Sequence, residues 1–332
     1  MNFSYNKFII IALLIIDIKF QMKISEMNKL LEKKNLNQKL NSQNNFYKEM
    51  LKLYIEDREK FYLKGREYAM KKQGKQYNES KLETIQDKLN YLLIHESPEN
   101  KTEMVDKILV KNYSKKILNE DITVPILKIY NNASEINLDD LPDKFILKCN
   151  HGSGMNIICK DKNKFNLAKA VETLNKWMNI NYGLQGFEYQ YLNIKKKIFA
   201  EKFLDDNIID YKFNCFNGEP KFIRTKFHIN GKNINNHYSL NWTLTDIVFN
   251  WKNYVRDPSI IIEKPKNLDK MIYYAKLLSS PFCFCRVDFY EVGNKVYLGE
   301  LTFAPANLGM NYNDEKKRKY LGNLLDISKI KK

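Results

Sequence analysis

Two hydrophobic periods divide the chain. From Met22 to about Asn90, Met50, Leu51, Tyr54, Phe61 and Tyr62 recur near helical spacing among Lys, Glu, Gln and Asn, and no proline interrupts them, which predicts helices. The Asn- and Gln-rich stretch 35–45 reads as a break between them. A further helix is expected over 101–118, where Val105, Ile108, Leu109 and Tyr113 fall on one stripe suited to core packing. From about residue 122 the period shortens. The runs "ITVPILKIY" and "KFILKCNHGSGMNIIC" flank a turn-like 131–143, and a helix is expected over 162–179 from Ala168, Val171, Leu174 and Trp177. Strand-like runs follow at "KKIFAEKFL", "DYKFNCFNGEPKFIRTKF", "FCFCRVDFYEV" and "KVYLGELTF", with a helix over 267–278 before the last two. Asn217-Gly218 and Gly293-Asn294 supply turn chemistry between strands. Apolar and polar positions alternate in these runs, so antiparallel strands with one face buried are expected, in an α+β fold without internal repeats.

The apolar run 8–16 after Lys7 is too short for the roughly 20 residues that cross a bilayer, and no small-residue cleavage pattern follows it. A buried element, or an extension upstream of a start at Met22, is preferred over a membrane-facing amphipath.

Composition changes the picture only at its edges. The 332 residues are 44% hydrophobic and carry only 12 Gly and 8 Pro, which excludes a disordered or collagen-like polymer. Lys and Arg exceed Asp and Glu by 55 to 39, a net +16 that favours acidic partners such as nucleotides, anionic glycans or membrane surfaces without choosing among them. The positive groups form no dominant stripe and the aromatics sit mainly in β-type runs, which argues against specific nucleic-acid binding. Five cysteines show no CxxC pair, so a structural zinc site is not expected, and the odd count fits a reducing compartment.

Three places can carry chemistry. In Lys148-Cys149-Asn150-His151-Gly152-Ser153-Gly154, glycines around a serine after a strand can expose backbone N–H groups to phosphate oxygens, with Lys148 adding charge; an ordinary tight turn fits the same residues. No GxxxxGK[ST] or GxGxxG occurs there. The run Glu201-Lys202-Phe203-Leu204, followed by Asp206, Asp210 and Lys212, can offer backbone groups to a base edge and a carboxylate to ribose hydroxyls, or be a strand and a solvated turn. In the third, Arg286 and Asp288 share one face of a strand whose other face carries Cys283, Cys285 and Val287, while Glu300 and Thr302 share a face of the next strand. Two carboxylates from adjacent strands can hold Mg²⁺, a hard cation that prefers oxygen, with Arg286 neutralising a transferring phosphoryl group; a simple salt bridge is the competing account. Register discriminates between them. A two-residue Gly293-Asn294 turn alone sets Asp288 opposite Gly299, so joint metal binding requires an odd-length connection or a bulge.

The blocks "LPDKFILKCNHGSG", "AEKFLDDNIIDYKFNCFNGEPKFI" and "FCRVDFYEVGNKVYLGELTFAPANLG", in this order over about residues 100–325, closely resemble the TupA-like branch of the ATP-grasp superfamily, found with teichuronopeptide, capsule and other surface-polysaccharide genes. The resemblance implies an ATP-grasp fold in which two α+β subdomains enclose ATP between antiparallel sheets. Its boundaries would be an uncertain leader at 1–21, a helical region at 22–100, a first subdomain at 101–200 and a second at 201–332. It further implies nucleotide contacts from Lys148, His151, Gly152, Ser153 and Gly154, and an adenine segment at Glu201, Lys202, Phe203 and Leu204. Asp206 or Asp210 would lie near the ribose, Lys212 and Arg286 at the reaction centre, and Asp288 and Glu300 on magnesium. Thr302 stands where many relatives have Asn, and Lys107 and Lys111 stand in a "DK...R" block with Lys replacing Arg. The expected activity is an ATP- and Mg²⁺-dependent carboxylate-amine ligase that joins a carboxylate-bearing sugar or glycan to an amine through an acyl phosphate. It would be cytoplasmic or at the inner face of the membrane, alongside membrane-linked glycan machinery. A glycosyltransferase is the alternative, weakened by the lack of a DxD motif, and an anionic-surface binder ranks below it. His228, His237, Trp242 and Trp251 lie where an acceptor would be held, and packing explains the two Trp equally well.

Overall fold

The computed structural model describes residues 46, 48–50, 52–96, 98–229, 231–250, 254–309, 311–312 and 314–330; the apolar run 8–16, the break at 35–45 and Trp251 lie outside them. The chain divides into two units, Met1–Phe61 and Tyr62–Lys332. In the first, residues 48–50 and 52–56 are helical. Helix α1 (Arg58–Lys72) continues into the second, where α2 (Ile85–His95) starts at a capping box: Thr84 accepts from the Asp87 N–H at 3.3 Å, and the Asp87 carboxylate accepts from the Thr84 N–H at 2.9 Å.

The helix expected over 101–118 is broken. A single turn at Thr102–Val105 stops, and α3 (Leu109–Leu118) begins anew because Asp106 Oδ1 accepts from the N–H groups of Ile108 at 2.8 Å and Leu109 at 3.2 Å. The restart shifts the helical phase, so Val105, Val110 and Ser114 are buried while Leu109 is exposed.

Strands β1 (Ile126–Tyr130), β2 (Phe145–Cys149), β3 (Asn156–Cys159) and β4 (Ile198–Lys202) form an antiparallel sheet in the order β1-β4-β2-β3. Its Phe145, Leu147, Cys149, Ile198 and Ala200 pack with Ala170 and Leu174 of α4 (Leu167–Met178). Alternation then puts Lys148 and Glu201 on the opposite face. After the short α5 (Tyr182–Gly186), a second sheet is built from β5 (Asp210–Phe216), β6 (Glu219–Ile229), β7 (Lys232–Tyr238), β8 (Tyr254–Val255), β9 (Phe284–Val292) and β10 (Lys295–Thr302). Its order is β10-β9-β5-β6-β7-β8, antiparallel except at β7 and β8. One face, with Phe213, Cys215, Cys285, Val287 and Phe289, shares a core with Met271, Ala275 and Leu278 of α6 (Leu268–Ser279) and Val110 of α3. Asn217 and Gly218 both turn with positive φ, 50° and 81°, as a tight hairpin demands.

The last hairpin satisfies the register condition by a bulge. Val292 pairs with Lys295 across a two-residue turn, yet Phe289 pairs with Leu298 and Asp288 with Glu300, leaving Gly299 as the extra residue. A Cβ at Gly299 would come within 2.9 Å of the Tyr290 ring, so the bulge fits glycine by close approach. Gly293, with φ 61°, serves the turn instead. The fold is an α+β arrangement with antiparallel sheets after a helical region, as the resemblance implies. Among the described residues no helix is long and apolar enough to cross a membrane.

Candidate active site

Register sets a row of charges across the open face of the second sheet: Arg224, Lys212, Asp288 and Glu300 stand opposite one another on β6, β5, β9 and β10. The adjacent same-face row is Phe222, Asn214, Arg286 and Thr302. Arg286 grips Asp288 with two bonds, Nε to Oδ1 and Nη2 to Oδ2, both at 2.6 Å, and Nη2 also reaches Glu300 Oε1 at 2.9 Å and the Thr302 hydroxyl at 3.1 Å. Lys212 donates to the Asp288 carboxylate and ion-pairs with Asp210. Burial works against the charge on Asp288, but Arg286 and Lys212 together outweigh it and hold the carboxyl below its usual range. Asp210 has the opposite balance: burial, aided by the nearby Asp288 charge, exceeds the help of Lys212 and raises it.

On the first sheet Glu201, 5% exposed, accepts from both Lys148 and Lys111, the latter at 2.8 Å. Burial opposes its charge, and the two ammonium groups outweigh burial and keep it below the usual carboxylate range. Lys111 shares that single carboxylate, and burial leaves its own value lowered. Lys107 donates to the Gly152 carbonyl and is lowered by burial, which the Glu300 charge partly offsets.

A cavity of about 410 Å³ gathers these elements: Ser153 and Gly154 of the loop, Lys212, Arg224, Lys226, Arg286, Glu300 and Thr302 of the second sheet, Tyr182, Glu188 and Tyr191, and Ala304, Ala306 and Asn307 after β10. The two glycines of the loop do different things. Gly154 takes a positive φ of 73° with open space around it, whereas a Cβ on Gly152 would stand 2.8 Å from Cδ2 of Tyr182.

Several expected site residues sit elsewhere. His151 is buried, its Nε2 3.2 Å from the Trp177 carbonyl, and burial lowers it to about 4; its side chain is turned into α4 and not toward a phosphate. Asp206 is exposed and paired with Lys160. Lys202 is exposed, Phe203 and Leu204 are half-buried, and among these four residues only Glu201 joins the ion cluster. Among the acceptor candidates, Trp242 stacks on Tyr238 at 4.3 Å and 8° and donates its indole N–H to the Ile262 carbonyl, which is packing. His237 is buried and lowered by desolvation and by Arg224 and Arg256, while His228 is exposed beside Asn233. The run 228–255 contributes β7 to the sheet. Lys226 and Arg224 were legible in principle, since "KFIRTKF" alternates with period two; Tyr182, Glu188, Tyr191 and Asn307 carry no local signal.

A family model, TupA-like ATPgrasp, matches residues 87–326. The chain belongs to the TupA-like ATP-grasp family. No curated protein matches it. Among solved structures it is similar to D-alanine-D-alanine ligase from Helicobacter pylori, at 20% identity over 67% of this chain and 61% of that one, TM-score 0.38. It is also similar to D-alanine-D-alanine ligase from Bacillus anthracis (21%, 58% and 56%, TM-score 0.36) and to N5-carboxyaminoimidazole synthetase from Staphylococcus aureus (13%, 60% and 44%, TM-score 0.36). The chain thus spans between 44% and 61% of the length of these proteins. This TupA-like ATP-grasp chain keeps Thr302 beside Glu300, with the hydroxyl donating to Glu300 Oε1 at 3.2 Å.

Proposed function

We propose that this protein is an ATP- and Mg²⁺-dependent carboxylate-amine ligase. A carboxylate oxygen attacks the γ-phosphorus of ATP, ADP leaves, and the resulting acyl phosphate is attacked by an amine to give an amide and phosphate. The observation that carries this is the cavity in which the Ser153-Gly154 loop meets Lys212, Arg286 and Glu300, a concentration of cations suited to phosphate beside a partly exposed carboxylate. Nothing in this chemistry calls for a side-chain nucleophile; burial pushes the Cys149 thiol up to about 12, away from a thiolate.

The donor set suits Mg²⁺. Asp288 and Glu300 face each other on adjacent strands and offer oxygen alone. Glu300 reaches the cavity with its side chain 31% exposed, whereas three donors from Arg286 and Lys212 already occupy Asp288. Of the roughly four lone-pair positions on a carboxylate, Asp288 therefore keeps one, on Oδ1. Glu300 is the principal candidate ligand, Asp288 the secondary one, and the Thr302 hydroxyl is engaged with both Arg286 and Glu300. Bound there, the ion would neutralise phosphate charge. Arg286, already placed between both carboxylates, is positioned to receive developing charge on the transferred phosphoryl group, and Lys212 to hold the phosphates.

The substrate class we favour is a uronic-acid sugar or glycan joined to an amino acid or amino sugar, handled at the cytoplasmic face of surface-polysaccharide assembly. Mass spectrometry after incubation with ATP, Mg²⁺, carboxyl sugars and amines tests it. ADP release that needs both a carboxylate and an amine, with an amide product, supports ligation; consumption of a UDP-sugar without ATP turnover refutes it.

A further inference from the structure

Besides these cations, the cavity is lined by Tyr182, Glu188 and Tyr191. Glu188 is 5% exposed and lines the cavity, yet among the described residues no Lys or Arg lies within 4 Å of its carboxylate. The other acidic groups of the site are all engaged: Asp210 and Asp288 by Lys212, Glu300 by Arg286. The nearby Tyr182 hydroxyl favours the ionised form of Glu188. The Tyr182 and Tyr191 rings meet edge to face at 5.0 Å and 73°, a wall that favours a cation. A buried carboxylate without a cation is costly unless a ligand supplies one.

We propose that Glu188 seats the amine co-substrate as its ammonium ion and accepts the proton whose loss makes that nitrogen nucleophilic. This rests on the ligase assignment above and names the residue that serves its second half-reaction. A primary amine resembling a lysine side chain is protonated at neutral pH and cannot attack until it loses a proton. Glu188 takes one proton, giving R–NH₂ and a neutral carboxyl. The nitrogen lone pair then forms the C–N bond as the acyl C–O bond to phosphate breaks, and the second proton leaves with the phosphate as hydrogen phosphate. Glu188 returns its proton to solvent. Four groups set its readiness: burial raises the carboxyl to about 7, Arg66 and the Tyr182 hydroxyl favour the ionised form, Glu300 disfavours it and Lys107 favours it. An acceptor ionising near neutral pH suits the task.

Calorimetry on the full chain, loaded with a non-hydrolysable ATP analogue and Mg²⁺, tests this with methylamine, D-glucosamine and glycinamide as probes against N-acetyl-D-glucosamine. The primary amines bind and the N-acetyl sugar does not, with affinity rising between pH 6 and 8. Glu188→Gln lowers amine affinity at least tenfold and flattens that rise. Tyr182→Phe, which removes a hydroxyl that favours the carboxylate, moves the rise to higher pH, a response a purely structural role would not give. Nucleotide binding without amine binding, or undiminished binding by Glu188→Gln, overturns the role of Glu188 alone. Failure to bind the nucleotide analogue overturns the ligase assignment as well.

Discussion

Replacing Asp288 by Asn removes the single anion shared by two buried cations. Asp288 is wholly inaccessible, Arg286 is 7% and Lys212 6% exposed, and all three are bonded within one face of two neighbouring strands. Removing one partner of a buried ion set strands the others, at a cost of about 3–5 kcal/mol. Here Asp210 retains part of Lys212 and Glu300 part of Arg286, so the lower end, about 3 kcal/mol, is expected. Glu300→Gln, at a half-open position with Arg286 still paired to Asp288, should cost about 0–1 kcal/mol. Urea unfolding of the two variants measures the difference directly, and adding Lys212→Met to Asp288→Asn should recover part of the loss by removing a stranded cation. The sign with pH follows from the depressed Asp288 value. Its contribution is complete above the unfolded carboxylate range near pH 4 and disappears as pH falls through the lower folded value, so wild type and Asp288→Asn should converge only in strong acid. Equal midpoints for Asp288→Asn and wild type at pH 7 would refute the buried ion set, and any loss of turnover in Asp288→Asn must be read against its lost stability.

Glu188→Gln should stabilise the protein by up to about 3 kcal/mol at pH 8 and by little at pH 4, because a carboxyl raised to about 7 costs stability once pH climbs through that value; thermal melts at both pH values check it. His151, lowered to about 4, favours the fold above its unfolded value near 6.5 and loses that advantage as pH falls toward 4, so His151→Gln should show a shallower stability loss between pH 6.5 and 4. Gly152→Ala should push the Tyr182 ring aside and weaken amine binding more than nucleotide binding, readable in the two calorimetric titrations. Arg66 is wholly buried, bonded to Asn90 Oδ1 at 2.9 and 3.0 Å, to the Gly186 carbonyl at 3.1 Å and to Asn307 Oδ1 at 2.8 Å, where Ala306, Asn307 and Leu308 all hold positive φ. Arg66→Ala should unpair these acceptors at about 1–3 kcal/mol apiece and speed hydrogen exchange at 304–309.

Where a period fixed the geometry, the sequence was readable. Period two assigned Arg286 and Asp288 to one face and Cys285 and Val287 to the core, and parity in the last hairpin demanded an irregularity before Asp288 and Glu300 could meet. The position of that irregularity was not readable, because what selects Gly299 is the Tyr290 ring folded over it, a contact no local pattern encodes. The helix phase over 101–118 differs from the stripe for a related reason: one residue, Asp106, closes the first turn with its N–H and opens the next helix with its carboxylate, and a stripe counted through it mixes two phases. His151 reads from its neighbours as a loop residue facing ligand, yet α4, arriving from residues 167–178, offers it the Trp177 carbonyl and a dry pocket.

Net charge located nothing, and the ion pairs explain why. The +16 excess is a sum over the surface, while the cations proposed to act on phosphate, Lys212 and Arg286, already share Asp288, just as Lys148 and Lys111 share Glu201. Burying a cation requires such a counter-charge, so a phosphate site inside a fold is close to neutral in the sequence count and invisible to it. Strand register makes the proposed site legible, because two cations and two carboxylates in one row across four strands are improbable as solvated surface and are far from the alternating pairs that a surface ladder would favour. An incoming polyanion can take over Lys212 and Arg286 from Asp288 without leaving any charge unpaired, provided a divalent cation satisfies the carboxylates in exchange. Nucleotide and metal should therefore bind this face together far better than either binds alone.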